Sequence, residues 1–370
     1  MNACKLFLSA LAWISMVGAA HAQILIGQTA GYTGPIAASV KDAAAGAKLY
    51  FDSVNAKGGV HGEKIELITM DDKFDPKLTL EKSRVLIEEK KVLALFMNRG
   101  TPHTEIIMPL LAQYNVALLA PGSGAMVVRK PVNKQIFNIR ASHQREAEKA
   151  IAQLKTVGVL RIAMVYVDDS FGTDILEGAK KGFAQEQLTP VAILKADRAK
   201  PDLVGIVADL NKANPQSILW VGTSAAVSDG IKTLRATGSV AQVLTFSNNA
   251  STGFIKLLGD NARGVIVSQV FPSERNVSYS MIREAQDIAK AAGQTDLSPI
   301  VLEGYAGAKV LVEALRRAGP KPTRQGIVKA LDSFRKYDLG GLELTFTPDN
   351  HSGLDYVELS IIGADGKFKR

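Results

Sequence analysis

From residue 24 onward, short apolar runs alternate with longer stretches in which apolar residues return every three or four positions. The first pattern belongs to buried strands, the second to helices with one buried face. "QILIGQTA" (23–30) predicts a strand that feeds the turn "GYTGP". "AASVKDAAAGAKLYFDSVNAKGG" predicts a helix stopped by Gly58 and Gly59. "EKIELITMDD" reads as a strand and "DPKLTLEKSRVLIEEKK" as a helix with Pro76 in its first turn. The strand "VLALF" (92–96), a helix over 102–114 and the strand "VALLAP" follow.

The rhythm restarts after "FNIRASHQ" (137–144), with helices at 145–157, through "GTDILEGAKKGFAQE", at 201–213 and at 225–237. Between and after them lie the strands "RIAMVYVDD", "TPVAILKA", "SILWVG" and "QVLTFS". "GVIVSQVFP", helices at 278–292, 303–318 and 323–333, and the strands "LELTFT" and "YVELSII" complete the chain. Alternation at this spacing predicts parallel sheets flanked by helices. Two stretches, "VLALFMNRGTPHTEIIMPLLAQYNVALLAPGSGA" and "SILWVGTSAAVSDGIKTLRATGSVAQVLTFSNNA", share one layout of strand, small polar turn, helix, strand and small polar turn. We therefore expect two similar, Rossmann-like α/β lobes. In such sheets ligands bind in the crevice beyond the carboxyl ends of the strands.

Composition changes this picture at one end. With 370 residues, 46% hydrophobic and 22% charged, the chain has room for two globular domains. Residues 1–22 stand apart: Lys5, the run "LFLSALAWISMVGAA" and then "AHA". That order predicts a secretory signal cut after Ala22, the alternative being a retained anchor. The single cysteine, Cys4, lies ahead of the apolar run, so the mature chain is expected to have neither a disulfide nor a thiolate metal site. The formal charge of +8 becomes +7 without Lys5, and the positive residues are interspersed with acids, as in "EKSRVLIEEKK". With no basic stripe between aromatics, an exported chain of this kind is not expected to bind nucleic acid.

The candidate chemistry lies in the turns. "MNRGTPHT" (97–104) carries a cation, a glycine and two hydroxyls where a strand gives way to a helix. Unpaired N–H groups and the dipole at a helix N-terminus favour an anion. Thr101 would add a hydroxyl, and Arg99 a charge able to fork onto a carboxylate. The competing reading has Thr101 capping its own helix and Arg99 in solvent. "GTSAA" repeats the arrangement with Thr223 and Ser224, while "PGSGA" (with Gly122 and Ser123) and "SNNAS" (with Asn248) close the neighbouring strands. Phe171, in the turn "DDSFGTD", either stacks on a ligand or packs under its loop. No G-x-S-x-G, H-E-x-x-H or Walker A pattern occurs. The histidines 61, 103, 143 and 351 lack metal-ligand spacing, and Asp71, Asp72 and Asp75 lack a calcium-loop pattern. Neither an enzyme nor a cofactor is indicated.

"TGPIAASVKDAAAGAKLYFDSVNAKGGVHGEKIELITMDDKFDP", "ALLAPGSGA", "FNIRAS" and "YVDDSFG" carry a resemblance over nearly the whole mature chain. It resembles the type I periplasmic substrate-binding proteins of branched-chain amino acid ABC transporters, the leucine/isoleucine/valine-binding family. The resemblance implies two lobes joined by a three-crossover hinge, here near 140–144, 270–274 and 345–349. Residues 23–142 and 272–346 would then form one lobe, and 143–271 with 347–370 the other. It implies a monomeric periplasmic receptor that closes on a small ligand and delivers it to a membrane permease. In the family a hydroxyl after the third strand holds the ligand carboxylate, which matches Thr101. Backbone groups of the next turn match Gly122 and Ser123, and the second-lobe aromatic matches Phe171.

Two departures redirect the expected ligand. Amino-acid binders of the family hold the ligand ammonium with a second-lobe acid, where this chain has Ser247, Asn248 and Asn249. An ammonium in a closed cleft without a partner charge costs roughly several kcal/mol. Arg99 is also absent from the branched-chain binders. Together these favour an aromatic or aliphatic acid without an amine, held by Arg99, Thr101, Gly122 and Ser123, covered by Phe171, and met at its far end by Thr223, Ser224 and Asn248. The alternatives are an amino-acid or amide binder using Asp168 or Asp169, a sensor without transport, and a hydrolase using Ser123. The family's loop disulfide is also missing; Phe74 and Gly100 stand near its positions.

Overall fold

A computed structural model describes residues 23–294 and 297–369; the expected signal segment lies outside the described residues. The first half of the chain reads β1 (Gln23–Ala30), α1 (Ala37–Ala56), β2 (Lys64–Asp71), α2 (Pro76–Glu88), β3 (Ala94–Phe96), α3 (Thr101–Tyr114), β4 (Ala117–Leu119) and β5 (Ile136–Phe137). These strands form one parallel sheet in the order β2-β1-β3-β4-β5.

The chain then enters α4 (His143–Thr156), β6 (Ile162–Val167), α5 (Ser170–Gln185), β7 (Ala192–Ala196), α6 (Leu203–Ala213), β8 (Ser217–Val221), α7 (Ser224–Ala236), β9 (Gln242–Thr245), α8 (Thr252–Leu258) and β10 (Ile266–Gln269). It continues through α9 (Ser280–Ala291), α10 (Pro299–Ala318), α11 (Arg324–Asp332), the short pair β11 (Tyr337–Asp338) and β12 (Glu343–Leu344), then β13 (Glu358–Ile362) and β14 (Phe368–Lys369). The second sheet runs β14-β13-β10-β9-β8-β6-β7, parallel except for β13 and β14. Both sheets are sandwiched by helices, as the alternation predicts. The β8 strand is buried at all five positions, because both of its faces are covered.

The small residues of "DAAAGAK" have a packing purpose. Helix α10 brings the chain back from the second sheet onto α1, and a Cβ on Gly304 would lie 1.9 Å from the Ala43 carbonyl oxygen. Only glycine permits this approach. The next residue back, Glu303, is thereby fixed in the interior, 2% exposed.

The last passage between lobes falls later than the expected 345–349. His351 stacks on Phe137 at 4.0 Å, its carbonyl accepts from the Asn138 amide at 2.9 Å, and Gly353 N–H donates to the Asn138 carbonyl at 2.8 Å. Residues 351–353 thus extend the edge of the first sheet at Asn138, and the chain crosses between Gly353 and β13. The boundary expected at 346/347 moves accordingly. Backbone pairing to β5 decides this, and nothing in "DNHSG" announces it.

Candidate ligand-binding site

The carboxyl ends of β1, β3, β4, β6, β7, β8 and β9 converge on one cavity of about 40 Å³ between the lobes. The lobes touch around it: Ala225 N–H donates to the Pro35 carbonyl at 3.3 Å, Met126 N–H to Asp174 Oδ1 at 2.9 Å, and Thr252 N–H to Asp42 Oδ2 at 3.1 Å. The cleft is closed. Of the eight sequence candidates, Arg99, Thr101, Gly122, Phe171, Thr223 and Asn248 line the cavity.

Arg99 is 4% exposed, and neither terminal nitrogen has a hydrogen-bond partner among the described residues. The reading that sends it to solvent therefore fails. Its nearest anion is Glu303 Oε2 at 3.9 Å, and Glu303 already holds Arg140 Nη1 at 3.2 Å. Burial lowers the Arg99 pKa, outweighing Glu303 and Asp42, which favour the charged form, while Arg140 adds to the lowering; compensation of the guanidinium is therefore incomplete. Gly122 makes room for it: a Cβ there would lie 2.6 Å from Arg99 Cγ. The expected donor role of Gly122 does not hold, because its N–H already donates to the Asn98 carbonyl at 2.7 Å.

Thr101 is fully buried and does not cap α3; the N-cap is Gly100, without a side-chain bond. Its hydroxyl meets Ser123 Oγ at 2.8 Å. Ser123 Oγ also accepts from Ala125 N–H at 3.3 Å, and either hydroxyl of the Thr101–Ser123 pair can be the donor. Ser123 itself does not line the cavity, so its contribution passes through Thr101. The nearby His143 is engaged through Nε2 with Gly124 N–H at 2.8 Å and through Nδ1 with Glu146 at 3.2 Å.

On the other lobe, Thr223 caps α7 by accepting from Ala226 N–H at 3.3 Å. Ser224 is turned away, donating to Asn249 Oδ1 at 2.8 Å, and does not line the cavity. Asn248 donates to the Gly222 carbonyl at 2.9 Å while its Oδ1 has no partner among the described residues. Phe171 sits in the first turn of α5, not ahead of it, because Asp169 caps that helix. Its ring lines the cavity and meets the His143 ring edge-to-face at 5.0 Å.

Sequence reasoning did not name Ile36, Ser39, Phe74, Gly100, Val167, Arg198 and Gly222 as ligand-binding, and these also line the cavity. Arg198 follows β7, so the same carboxyl-end rule would have pointed to it. Its guanidinium lies 4.8 Å from the centre of the Phe74 ring, and that ring stacks on His103 at 4.2 Å. Arg198 also pairs with Asp169 across the loop. Asp168 pairs with Lys195 at 3.0 Å near the surface. Both acids considered as ammonium partners are therefore already engaged with cations.

Behind the cavity, Arg140 is completely buried between the lobes. It pairs with Glu303 of α10 at 3.2 Å and with Glu146 of α4 at 2.8 Å, and also reaches Ser247. Burial alone would lower its pKa, but the two carboxylates outweigh that and hold it above its ordinary value. Burial pushes Glu146 up, yet Arg140, His143 and Ser268 bring it down to about 2.

Residues 23–365 match the model of the periplasmic binding protein family. A substrate-binding periplasmic protein from Ralstonia solanacearum is similar in structure, with 32% identity, a TM-score of 0.86, and coverage of 94% of this chain and 99% of that one. The Leu/Ile/Val-binding protein homolog 3 of Brucella melitensis is 22% identical over 349 residues, 92% of each chain. A fatty acid ABC transporter substrate-binding protein from Thermomonospora curvata shares the fold at a TM-score of 0.81 and 20% identity, over 93% of this chain and 89% of that one. Among the described residues no helix is long and apolar enough to cross a membrane. With two α/β lobes closed on a cavity lined by strand-end turns, the chain belongs to the periplasmic binding protein family, as a type I member on the branch of the Leu/Ile/Val-binding proteins.

Proposed function

We propose that the protein is a periplasmic receptor that captures a small carboxylate without an amine and hands it to an ABC permease. One observation carries this reading: both terminal nitrogens of Arg99 are buried beside the cavity with no hydrogen-bond partner among the described residues, Glu303 standing off at 3.9 Å. A buried guanidinium without an acceptor is costly, and a carboxylate accepts two of its protons side by side. Thr101, paired with Ser123, adds a neutral hydroxyl on the same wall. Gly122 gives Arg99 its place, and Phe171, Val167 and Ile36 supply apolar cover. Thr223 and Asn248 face the far end.

The ligand class is the point at which the family offers more than one reading, since relatives carry both Leu/Ile/Val-binding and fatty acid names. The lining argues for the acid. It includes two arginines and, among the described residues, no aspartate or glutamate. An ammonium there would meet Arg99 and Arg198 without a carboxylate of its own.

Calorimetric titration of mature protein with aromatic and aliphatic acids tests this. Arg99→Ala should weaken binding about a hundredfold and Thr101→Ala about tenfold, as expected for charge-assisted and neutral hydrogen bonds. Wild-type affinity in both variants would remove the assignment. Binding of leucine or valine in preference to every amine-free acid would favour the amino-acid reading.

A further inference from the structure

We infer that the ligand carries a hydroxyl opposite its carboxylate: it is a small hydroxy acid, and Asn248 is the residue that selects it. The inference rests on the carboxylate reading and adds a second recognition point to the same cavity.

The orientation of Asn248 is fixed by its neighbours. Its nitrogen lies 2.9 Å from the Gly222 carbonyl oxygen and 3.2 Å from Asn249 Oδ1, both acceptors. The Gly222 carbonyl can only accept, and that fixes the amide orientation of Asn248. The amide of Asn248 must therefore present NH₂ to these groups and Oδ1 to the other side. That oxygen is buried and has no partner among the described residues, in a side chain that lines the cavity. The neighbouring Thr223 oxygen already accepts from the Ala226 N–H and keeps its proton and one lone pair, so the acceptor without any partner is Asn248 Oδ1. This wall thus presents an acceptor seeking a donor, whereas the Arg99 wall presents donors seeking an acceptor.

Charge decides which donor fits. An ammonium would satisfy Asn248 Oδ1, but it would share a cavity of about 40 Å³ with two guanidinium groups and, among the described residues, no lining carboxylate. A hydroxyl satisfies the same oxygen without that repulsion. The small volume also requires one short molecule to meet both walls. A hydroxyl-seeking site of this kind rejects the analogue that lacks the group, because the analogue leaves the buried acceptor unpaired.

The experiment compares matched ligands. Dissociation constants are measured for benzoate and its three monohydroxy isomers, for butyrate and its hydroxy derivatives, and for the corresponding amino acids. The proteins are wild type, Arg99→Ala, Asn248→Ala and Asn248→Asp. In wild type at least one hydroxy acid should bind about tenfold more tightly than its parent, the worth of one buried hydrogen bond. In Asn248→Ala that ratio should collapse to about twofold or less, whatever happens to the parent acid. Asn248→Asp places a charge at the same position and should move the preference about tenfold toward the amine-bearing analogue. The inference is overturned if no hydroxy acid surpasses its parent, if the ratio survives Asn248→Ala, or if amino acids win in wild type. Binding of parent acids that depends on Arg99 but gains nothing from a hydroxyl sinks this inference alone. Binding that ignores Arg99 sinks the carboxylate reading beneath it.

Discussion

The turns at the starts of α3 and α7 have one layout and opposite chemistry. In the second lobe Thr223 caps its own helix, and Ser224 and Asn249 satisfy each other. In the first lobe Gly100 occupies the cap position without a side-chain bond, Thr101 looks inward, and Arg99 is buried with open donors. One turn closes its own hydrogen-bond account, and the other leaves it open toward the cavity. Repeated architecture therefore says where a ligand lies, but unmet hydrogen bonds say which lobe holds its charge.

The most disruptive way to break the asymmetry is through Arg140. By holding Glu303 from behind, Arg140 prevents that carboxylate from turning fully to Arg99. Arg140→Met leaves Glu303 and Glu146 buried without their shared cation. The expected loss is about 3–5 kcal/mol, read as a lower urea midpoint. Ligand affinity should fall as well, because Glu303 is then free to neutralise Arg99. A midpoint within about 0.5 kcal/mol of wild type would contradict the coupling.

Acid should act on the open turn next. His103 is fully buried beneath Phe74, and burial pushes its pKa down to about 4. The unfolded chain takes up this proton near pH 6.5, so the neutral folded form is fully favoured above that value, and stability is lost as pH falls toward 4. Between pH 7 and 5 the cost is about 2 kcal/mol. His143 is shifted downward by burial too and acts in the same direction. His103→Phe, which keeps a ring under Phe74, should flatten the slope measured by denaturation at several pH values. An unchanged slope would mean that the imidazole does not titrate with folding.

A pair of threonine substitutions sharpens the contrast directly. Thr223→Ala removes a cap and should cost about 1 kcal/mol of stability. Thr101→Ala removes no cap, so its main effect should appear in ligand affinity. If Thr101→Ala proves the more destabilising in ligand-free protein, the two turns do not differ as described.

Much of this was visible in the sequence. The strand–helix rhythm located the sheets, and the rule that ligands meet strand ends brought six of the eight candidates to the cavity. The misses share a cause. Whether a hydroxyl such as Ser123 or Ser224 faces the cleft or a neighbour depends on side-chain direction at one atom, which a pattern of residue types does not encode. The Gly122 amide was lost to Asn98, a partner 24 residues away and joined only by sheet pairing. Phe74 and Arg198 come from opposite lobes, so their meeting exists only once the cleft has closed. Their neighbourhood gave one hint: Phe74 and Gly100 occupy adjoining positions, a Cβ on Gly100 falling 3.0 Å from the Phe74 ring.

That cross-cleft meeting supports the smallest effect. Arg198 is tied to its own lobe by Asp169 and reaches Phe74 of the other, where the two side chains stand between the cavity and an outer pocket that both also line. A guanidinium over a ring at this distance contributes about 0.5–1 kcal/mol when partly exposed. Arg198→Lys keeps the charge opposite Asp169 but loses the flat face. Because the contact forms only on closure, its loss should raise the ligand dissociation rate about two- to fivefold and leave the association rate nearly unchanged in stopped-flow measurements. A change confined to association would place Arg198 in the capture of the anion, making the second lobe an active partner in charge recognition and narrowing the contrast between the lobes.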